Sequence, residues 1–176
     1  METILDNALT ESLSKVQYSS RYALALFYDK YEDRVQLSQK INDTGAHYIS
    51  DDPIFCYAAI DGLKKELKSP TSVVFHTKVP WGIKRLETPI PEVEKMLVAH
   101  YKKLYPNWPQ PNSVKCQRWR YYQVSTPFPG CPHAVTLNEA PLLLAGGDAF
   151  VEEFATVDGC IASAIKMSEL LIAKMQ

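Results

Sequence analysis

Residues 18–28 read Tyr-Ser-Ser-Arg-Tyr-Ala-Leu-Ala-Leu-Phe-Tyr, and the reading of this stretch decides the fold. After Arg21 the large residues Tyr22, Leu24, Leu26 and Tyr28 alternate with Ala23, Ala25 and Phe27. A period of two sends successive side chains to opposite faces of a strand. Both sets are apolar, so the sequence predicts one long strand, 18–28, covered on both faces. Such a strand needs partners in a sheet. Residues 46–50 and 55–60 read as two, separated by Asp51-Asp52-Pro53, and residues 72–79 as a third that ends at Pro80-Trp81-Gly82. Residues 114–125 read as another, in which alternation places Trp119 and Tyr121 on one face and Arg120 and Tyr122 on the other.

Helical spacing appears in three places. Leu5, Leu9, Leu13 and Val16 mark a short amphipathic helix over residues 5–16. Val93, Met96, Leu97, Tyr101 and Leu104 mark a second over 92–105, with Pro89 and Pro91 at its first turn and Pro106 ending it. Residues 29–44 are charged and unpatterned, which predicts a surface excursion with a frayed helical turn. Near the end, a short apolar strand at 141–145 runs into Gly146-Gly147-Asp148. A helix then opens at Asp158-Gly159, with Ile161, Ala164, Ile165, Ser168 and Ile172 forming a stripe to be buried. Twelve prolines, all between Pro53 and Pro141, favour short elements and rigid turns. The mixed order of elements makes the class α+β.

Composition narrows the function. The 176 residues suit one domain, or one with a small appendage, and 46% hydrophobic content excludes a disordered chain. A net charge of −1 leaves no basic excess for a nucleic-acid partner. No apolar run is long enough for a membrane span, and Met1-Glu2-Thr3 does not open a signal peptide. Cys56, Cys116, Cys131 and Cys160 form no C-x-x-C pair, so no metal site is expected and the thiols point to a reducing, cytoplasmic compartment. The sequon Asn42-Asp43-Thr44 leaves secretion open.

Three groups of residues could carry chemistry. Gly146-Gly147-Asp148 and the helix opening at Asp158-Gly159 could admit a ligand close to the backbone, with a carboxylate to accept from hydroxyls. The alternative there is a tight turn with Asp158 capping a helix. Trp119 could wall one side of a planar ring, or simply pack on the sheet. His76 stands in an apolar strand and Tyr48 beside a turn, where either could be structural. No G-x-S-x-G elbow exists to anchor a hydrolase triad. The seven glycines contain no G-x-G, so the chain by itself builds no dinucleotide pyrophosphate fingerprint.

Several collinear motifs resemble the renalases, flavoproteins related to the amine oxidases. They are Val16-Gln17-Tyr18-Ser19-Ser20-Arg21-Tyr22-Ala23-Leu24, His76-Thr77-Lys78-Val79-Pro80-Trp81-Gly82, Lys115-Cys116-Gln117-Arg118-Trp119-Arg120, Cys131-Pro132, Ala145-Gly146-Gly147-Asp148-Ala149-Phe150 and Asp158-Gly159-Cys160-Ile161-Ala162-Ser163-Ala164. The resemblance covers only the C-terminal half of the family's protein. It implies a mixed-sheet substrate domain over residues 1–137 and the C-terminal segment of an FAD-binding domain over 138–176. It also implies oxidation of isomeric forms of reduced NAD(P), with hydride passing to FAD and then to molecular oxygen, giving hydrogen peroxide. Gly146, Gly147, Asp148, Asp158, Gly159, Cys160 and Ile161 are then expected to meet FAD, and Tyr48, His76 and Trp119 the dihydronicotinamide dinucleotide substrate. A competing reading is a non-catalytic binding or interaction module. In either case the helix stripe, lacking the family's N-terminal half, is expected to expose an apolar face and to favour self-association.

Overall fold

β2 (Arg21–Tyr28) is an interior strand of the chain's main sheet. In the computed structural model, residues 6–30, 37, 45–61, 70–152 and 156–175 are described. β2 pairs with β5 (Thr71–Thr77) on one side and β6 (Ser113–Trp119) on the other. β4 (Phe55–Ile60) then pairs with β5, and β3 (Ala46–Tyr48) with β4, giving the order β3-β4-β5-β2-β6. The α+β class holds. Where a mixed sheet is expected, every described strand pairing is antiparallel.

The strand expected over 18–28 is two strands. β1 (Gln17–Tyr18) pairs instead with β7 (Val124–Thr126). The chain turns at Ser19 and Ser20, where the Ser19 N–H donates to Gln123 O at 2.8 Å. The Tyr22 N–H then donates to Thr77 Oγ1 at 3.0 Å, so β2 opens on a side-chain bond. The expectation that both faces are covered is also corrected. Tyr22, Leu24, Leu26 and Tyr28 are fully buried, while Ala23 and Ala25 are half-buried and Phe27 is exposed.

The helix Ile90–Leu104 supplies the cover for the buried face. Its Val93, Leu97 and Tyr101 join Leu24, Phe55, Phe75 and Trp108 in one core. Met96 and Leu104, expected on the same stripe, are exposed, so the buried stripe is narrower than the sequence suggests. Phe75 anchors an aromatic stack, with ring centroids 4.7 Å from Phe55 and 5.9 Å from Trp108. A core of this kind is stabilised mainly by removing apolar surface from water, with aromatic pairs adding about 0.5–1.5 kcal/mol each.

The strand expected over 72–79 ends at Thr77, because Val79–Ile83 is a short helical turn with Pro80 in its first positions. Gly82 is required there: an added Cβ would stand 2.6 Å from Ser20 O. The strand expected over 114–125 also breaks, into β6 and β7, so Tyr121 does not continue the alternation from Trp119. The excursion over 29–44 falls almost wholly outside the described residues.

Two compact units result: Ser20–Arg120, which holds the five-stranded sheet, and Met1–Ser19 with Tyr121–Gln176. In the second, the helix Asn7–Ser14 starts at Asp6, whose Oδ1 accepts from the Leu9 N–H at 2.6 Å. Leu9, Leu13 and Val16 pack against Val124, Phe128, Ala149 and Phe150. β8 (Ala134–Glu139) and β9 (Leu142–Gly146) form a hairpin, and a 3-10 turn at Asp148–Phe150 follows. The closing helix is Val157–Met175. It buries only Gly159 and Ser163. Ile161, Ile165 and Ile172, expected in a buried stripe, are 53%, 57% and 58% exposed, and Ala164 and Ser168 are exposed with them. Nothing among the described residues covers that stripe, whose apolar periodicity asks for a covering surface. No described helix is long and apolar enough to cross a membrane.

Candidate functional site

The face of the five-stranded sheet opposite the helix Ile90–Leu104 carries all three expected substrate residues. Cross-strand register sets Gln117 of β6 opposite Ala23 of β2, Ala23 opposite His76 of β5, His76 opposite Tyr57 of β4, and Tyr57 opposite Tyr48 of β3. These five form one row across the sheet. Trp119 stands in the next row, opposite Arg21. Tyr48 is 85% exposed and Trp119 49% exposed, so neither contributes much to the core.

The row is held by ring contacts. Tyr57 lies 5.3 Å from Tyr48 and 5.7 Å, edge to face, from His76. Tyr57 is the residue that sequence reasoning missed. Strict alternation from Phe55 would put Tyr57 with Phe55 in the core. A bulge at Cys56 shifts the register between Phe55↔Thr77 and Tyr57↔His76, and turns Tyr57 to the open face. Cys56 Sγ lies 3.4 Å from the carbonyls of His76 and Thr77, and Arg21 Nη1 donates to it at 3.3 Å. The bulge is thereby tied to the residue opposite Trp119.

The expected cofactor residues lie in the other unit, around the strand–turn–helix at β9. Gly147 takes φ +126°, which glycine tolerates and L side chains do not, and an added Cβ there would meet nothing within 4 Å. Its backbone faces open space. Gly146 is different: an added Cβ would stand 2.6 Å from Ser163 Oγ and run into Met167, so its smallness lets the strand pack on the helix. Buried Ser163 joins the two loops beside that helix. The Gly147 N–H donates to Ser163 Oγ at 2.7 Å, and Ser163 Oγ–H donates to the His133 carbonyl at 2.6 Å. His133 and Cys131 both have positive φ, 67° and 44°, so this loop stores backbone strain.

A cavity of about 220 Å³ opens beside the helix start, lined by His133, Val151, Glu152, Asp158, Gly159 and Ala162. Asp158 is not the helix cap: Thr156 Oγ1 accepts from the Gly159 N–H at 3.0 Å. Asp158 is exposed on the cavity wall, Gly159 is buried, and Cys160 and Ile161 are exposed along the helix. Asp148 opens the 3-10 turn, and its charge, secondary to burial, pushes the Tyr18 phenol above its ordinary pKa. The acidic lining by Glu152 and Asp158 suits a chain of hydroxyl donors and opposes a diphosphate. The residues present therefore fit the polyhydroxyl portion of FAD.

No family model matches the chain. Among curated proteins, it is similar to renalase of Mus musculus, 35% identical over 165 residues. The match takes in 92% of this chain and 46% of that protein, in a C-terminal part of it. The chain thus spans about half the length of the curated relative it matches.

Proposed function

We propose, on the premise that the chain is renalase-like across nearly its whole length, that it is the substrate-binding and cofactor-completing part of an FAD-dependent oxidoreductase. Its substrates are isomeric forms of reduced NAD(P). The single observation that carries the reading is the common placement of Tyr48, His76 and Trp119 on one open sheet face. A sheet face bearing exposed rings offers flat apolar surface to a planar ring, and a histidine adds a hydrogen-bonding edge.

Within this reading, residues 1–137 form the substrate part and 138–176 complete an FAD-binding domain, with 1–19 and 121–137 packed in one compact unit with that closing segment. When bound, FAD would accept hydride from the substrate and pass the electrons to molecular oxygen, yielding hydrogen peroxide. The chain's own residues do the positioning. Trp119 and Tyr48 hold the dihydronicotinamide, and His76 binds its amide or ribose through a ring nitrogen. A dihydronicotinamide gives up hydride without losing a proton, so none of the three need act as an acid or base. Asp148 and Asp158 would accept hydroxyl hydrogen bonds from the cofactor chain, with Gly147 leaving the approach open. Gly146, Gly159, Cys160 and Ile161 complete this contact set.

The exposed stripe Ile161, Ile165 and Ile172 favours a second reading, a non-catalytic module that associates through that helix, with itself or another chain. One experiment separates the two. The purified protein is incubated with FAD, desalted and examined for flavin absorbance, then mixed with an isomeric dihydronicotinamide dinucleotide in air. Retained flavin and hydrogen peroxide release are the expected result for the enzyme. Colourless protein that elutes as an oligomer supports the module.

A further inference from the structure

Two consecutive residues of β4 grip His76. The Cys56 thiol donates to the His76 carbonyl at 3.4 Å, which holds its backbone. Tyr57, the next residue, stands opposite His76 in the register and meets its ring at 5.7 Å, with 72° between the planes. On its other side Tyr57 stands opposite Tyr48, with ring centroids 5.3 Å apart. Both separations fall in the range of about 4.5–7 Å at which aromatic pairs attract. One ring therefore touches two of the three side chains proposed to meet the substrate.

Tyr57 does not reach this place by regular alternation. The register shift at Cys56 leaves Phe55 fully buried in the core and Tyr57 half-buried on the opposite face. Bulges interrupt pairing, and they recur beside functional sites because they re-aim a side chain. The two neighbours need such a support. The torsion that turns a His or Tyr ring is broad, so rotamer preference alone leaves the ring plane loosely set. A hydrogen bond from an imidazole nitrogen weakens steeply when misaligned, so the plane of His76 decides what it can bind. Tyr48 is 85% exposed and ends a three-residue strand at the sheet edge, where little else fixes its ring.

We infer that Tyr57 is a positioning residue: its ring sets the plane of the His76 imidazole and backs the Tyr48 ring, so that both meet the dihydronicotinamide in one arrangement. This inference rests on the proposed function of the same face. Tyr57 acts through its two neighbours, and the contacts are made by its ring. The phenol hydroxyl is therefore dispensable, and phenylalanine should serve as well.

The test is aromatic NMR of the full chain, alone and with millimolar NAD+ as the probe. In the free protein the ring current of Tyr57 should displace the His76 ring protons. Tyr57→Phe is expected to keep that displacement, and Tyr57→Ala and Tyr57→Leu to abolish it. NAD+ affinity, read at His76 and Trp119, is expected to fall about fivefold or more in the Ala and Leu variants and to stay within about twofold in the Phe variant. Leucine keeps apolar bulk without a ring, so it carries the comparison if the Ala variant melts early. Unaltered NAD+ affinity in the Leu variant overturns the positioning role and leaves the substrate face standing. A loss in the Phe variant equal to that in the Leu variant overturns it too, because the hydroxyl then makes the contact that matters. No response to NAD+ at Tyr48, His76 or Trp119 in the unsubstituted protein overturns both the role and the proposed function of the face.

Discussion

Asp52 Oδ2 lies 2.7 Å from His100 Nε2, and this bond fastens the β3–β4 connection to the helix Ile90–Leu104. Oδ1 of the same carboxylate accepts from the Ile54 N–H at 2.8 Å and the Phe55 N–H at 2.6 Å. Lys78 adds a further tether, donating through Nζ to Ser50 O at 3.0 Å and through its N–H to Ile54 O at 2.7 Å. The connection that follows Tyr48 is therefore fixed from two sides.

Burial works against the charged form of Asp52, but the bonds from Phe55, His100 and Ile54 outweigh it and hold the carboxyl below the usual aspartate range. A depressed folded-state pKa gives stability that is present above the unfolded value and is lost as pH falls through the folded one. Asp52→Asn should cost about 1–3 kcal/mol near neutral pH, because the buried Phe55 N–H and the part-buried Ile54 N–H lose a charged acceptor. It should also flatten the acid limb of the stability curve. Thermal melts of both proteins from neutral to strongly acidic pH check this, and parallel curves would contradict it.

Cysteine reactivity should follow burial and charge. Burial, with the Glu94 carboxylate second, pushes the Cys116 thiol up to about 11. At pH 8 only about one part in a thousand is then thiolate, the reactive form. Cys160 is exposed on the closing helix, and Cys56 and Cys131 are intermediate. Timed alkylation with peptide mass analysis should find Cys160 modified first and Cys116 last. Early labelling of Cys116 would mean that the Ile90–Leu104 helix does not cover β6 as described.

How much of this was legible beforehand varies with the physics involved. The buried set of β2 is readable because alternation at Tyr22, Leu24, Leu26 and Tyr28 depends only on local geometry. Phe55–Ile60 is bounded correctly because Asp51-Asp52-Pro53 marks where it starts, although its side chains do not alternate. The open face was not readable: Ala23, Ala25 and Phe27 are apolar whether or not a second layer covers them. Tyr57 was hidden because one extra residue at Cys56 reverses the alternation, and the sequence carries no mark of a bulge. The closing helix has the opposite problem. Its stripe is plain, but what covers Ile161 and Ile165 depends on surface outside their own helix. The placement of Tyr48, His76 and Trp119 on one face needed the register of five strands, which no single motif contains.

Ser163 should be sensitive out of proportion to its size. Its hydroxyl is fully buried and satisfies both the Gly147 N–H and the His133 carbonyl. Ser163→Ala should cost about 1–3 kcal/mol, since both groups lose their partner. Amide hydrogen exchange should speed at Gly147 in particular. A uniform loss of protection along the helix would instead indicate general destabilisation.

Asp148→Ala separates a cofactor role from a turn role. If Asp148 accepts a hydroxyl from FAD, a charge-assisted bond worth about 1.5–3 kcal/mol is lost and affinity falls about ten- to a hundredfold. The same substitution should lower the Tyr18 phenol pKa toward its ordinary value, because one cause of its rise is removed. Flavin fluorescence titration reads the first, and tyrosinate absorbance against pH the second. A pKa response with unaltered FAD affinity would confine Asp148 to the turn.

Trp119→Ala and Tyr48→Ala test the substrate face directly. Both side chains are exposed, 49% and 85%, so truncation removes little buried surface and the melting temperature should barely move. If the rings position a dihydronicotinamide, the loss appears in function, because hydride transfer depends steeply on how the donor carbon is held. In the flavin-loaded protein, reduction by the substrate should slow while the later reaction with oxygen keeps its rate. Rapid-mixing absorbance measures the two phases separately. Sheet packing alone predicts the reverse, a lowered melting temperature with an unaltered reductive phase, because a ring that only covers neighbouring strands adds nothing to the approach of hydride.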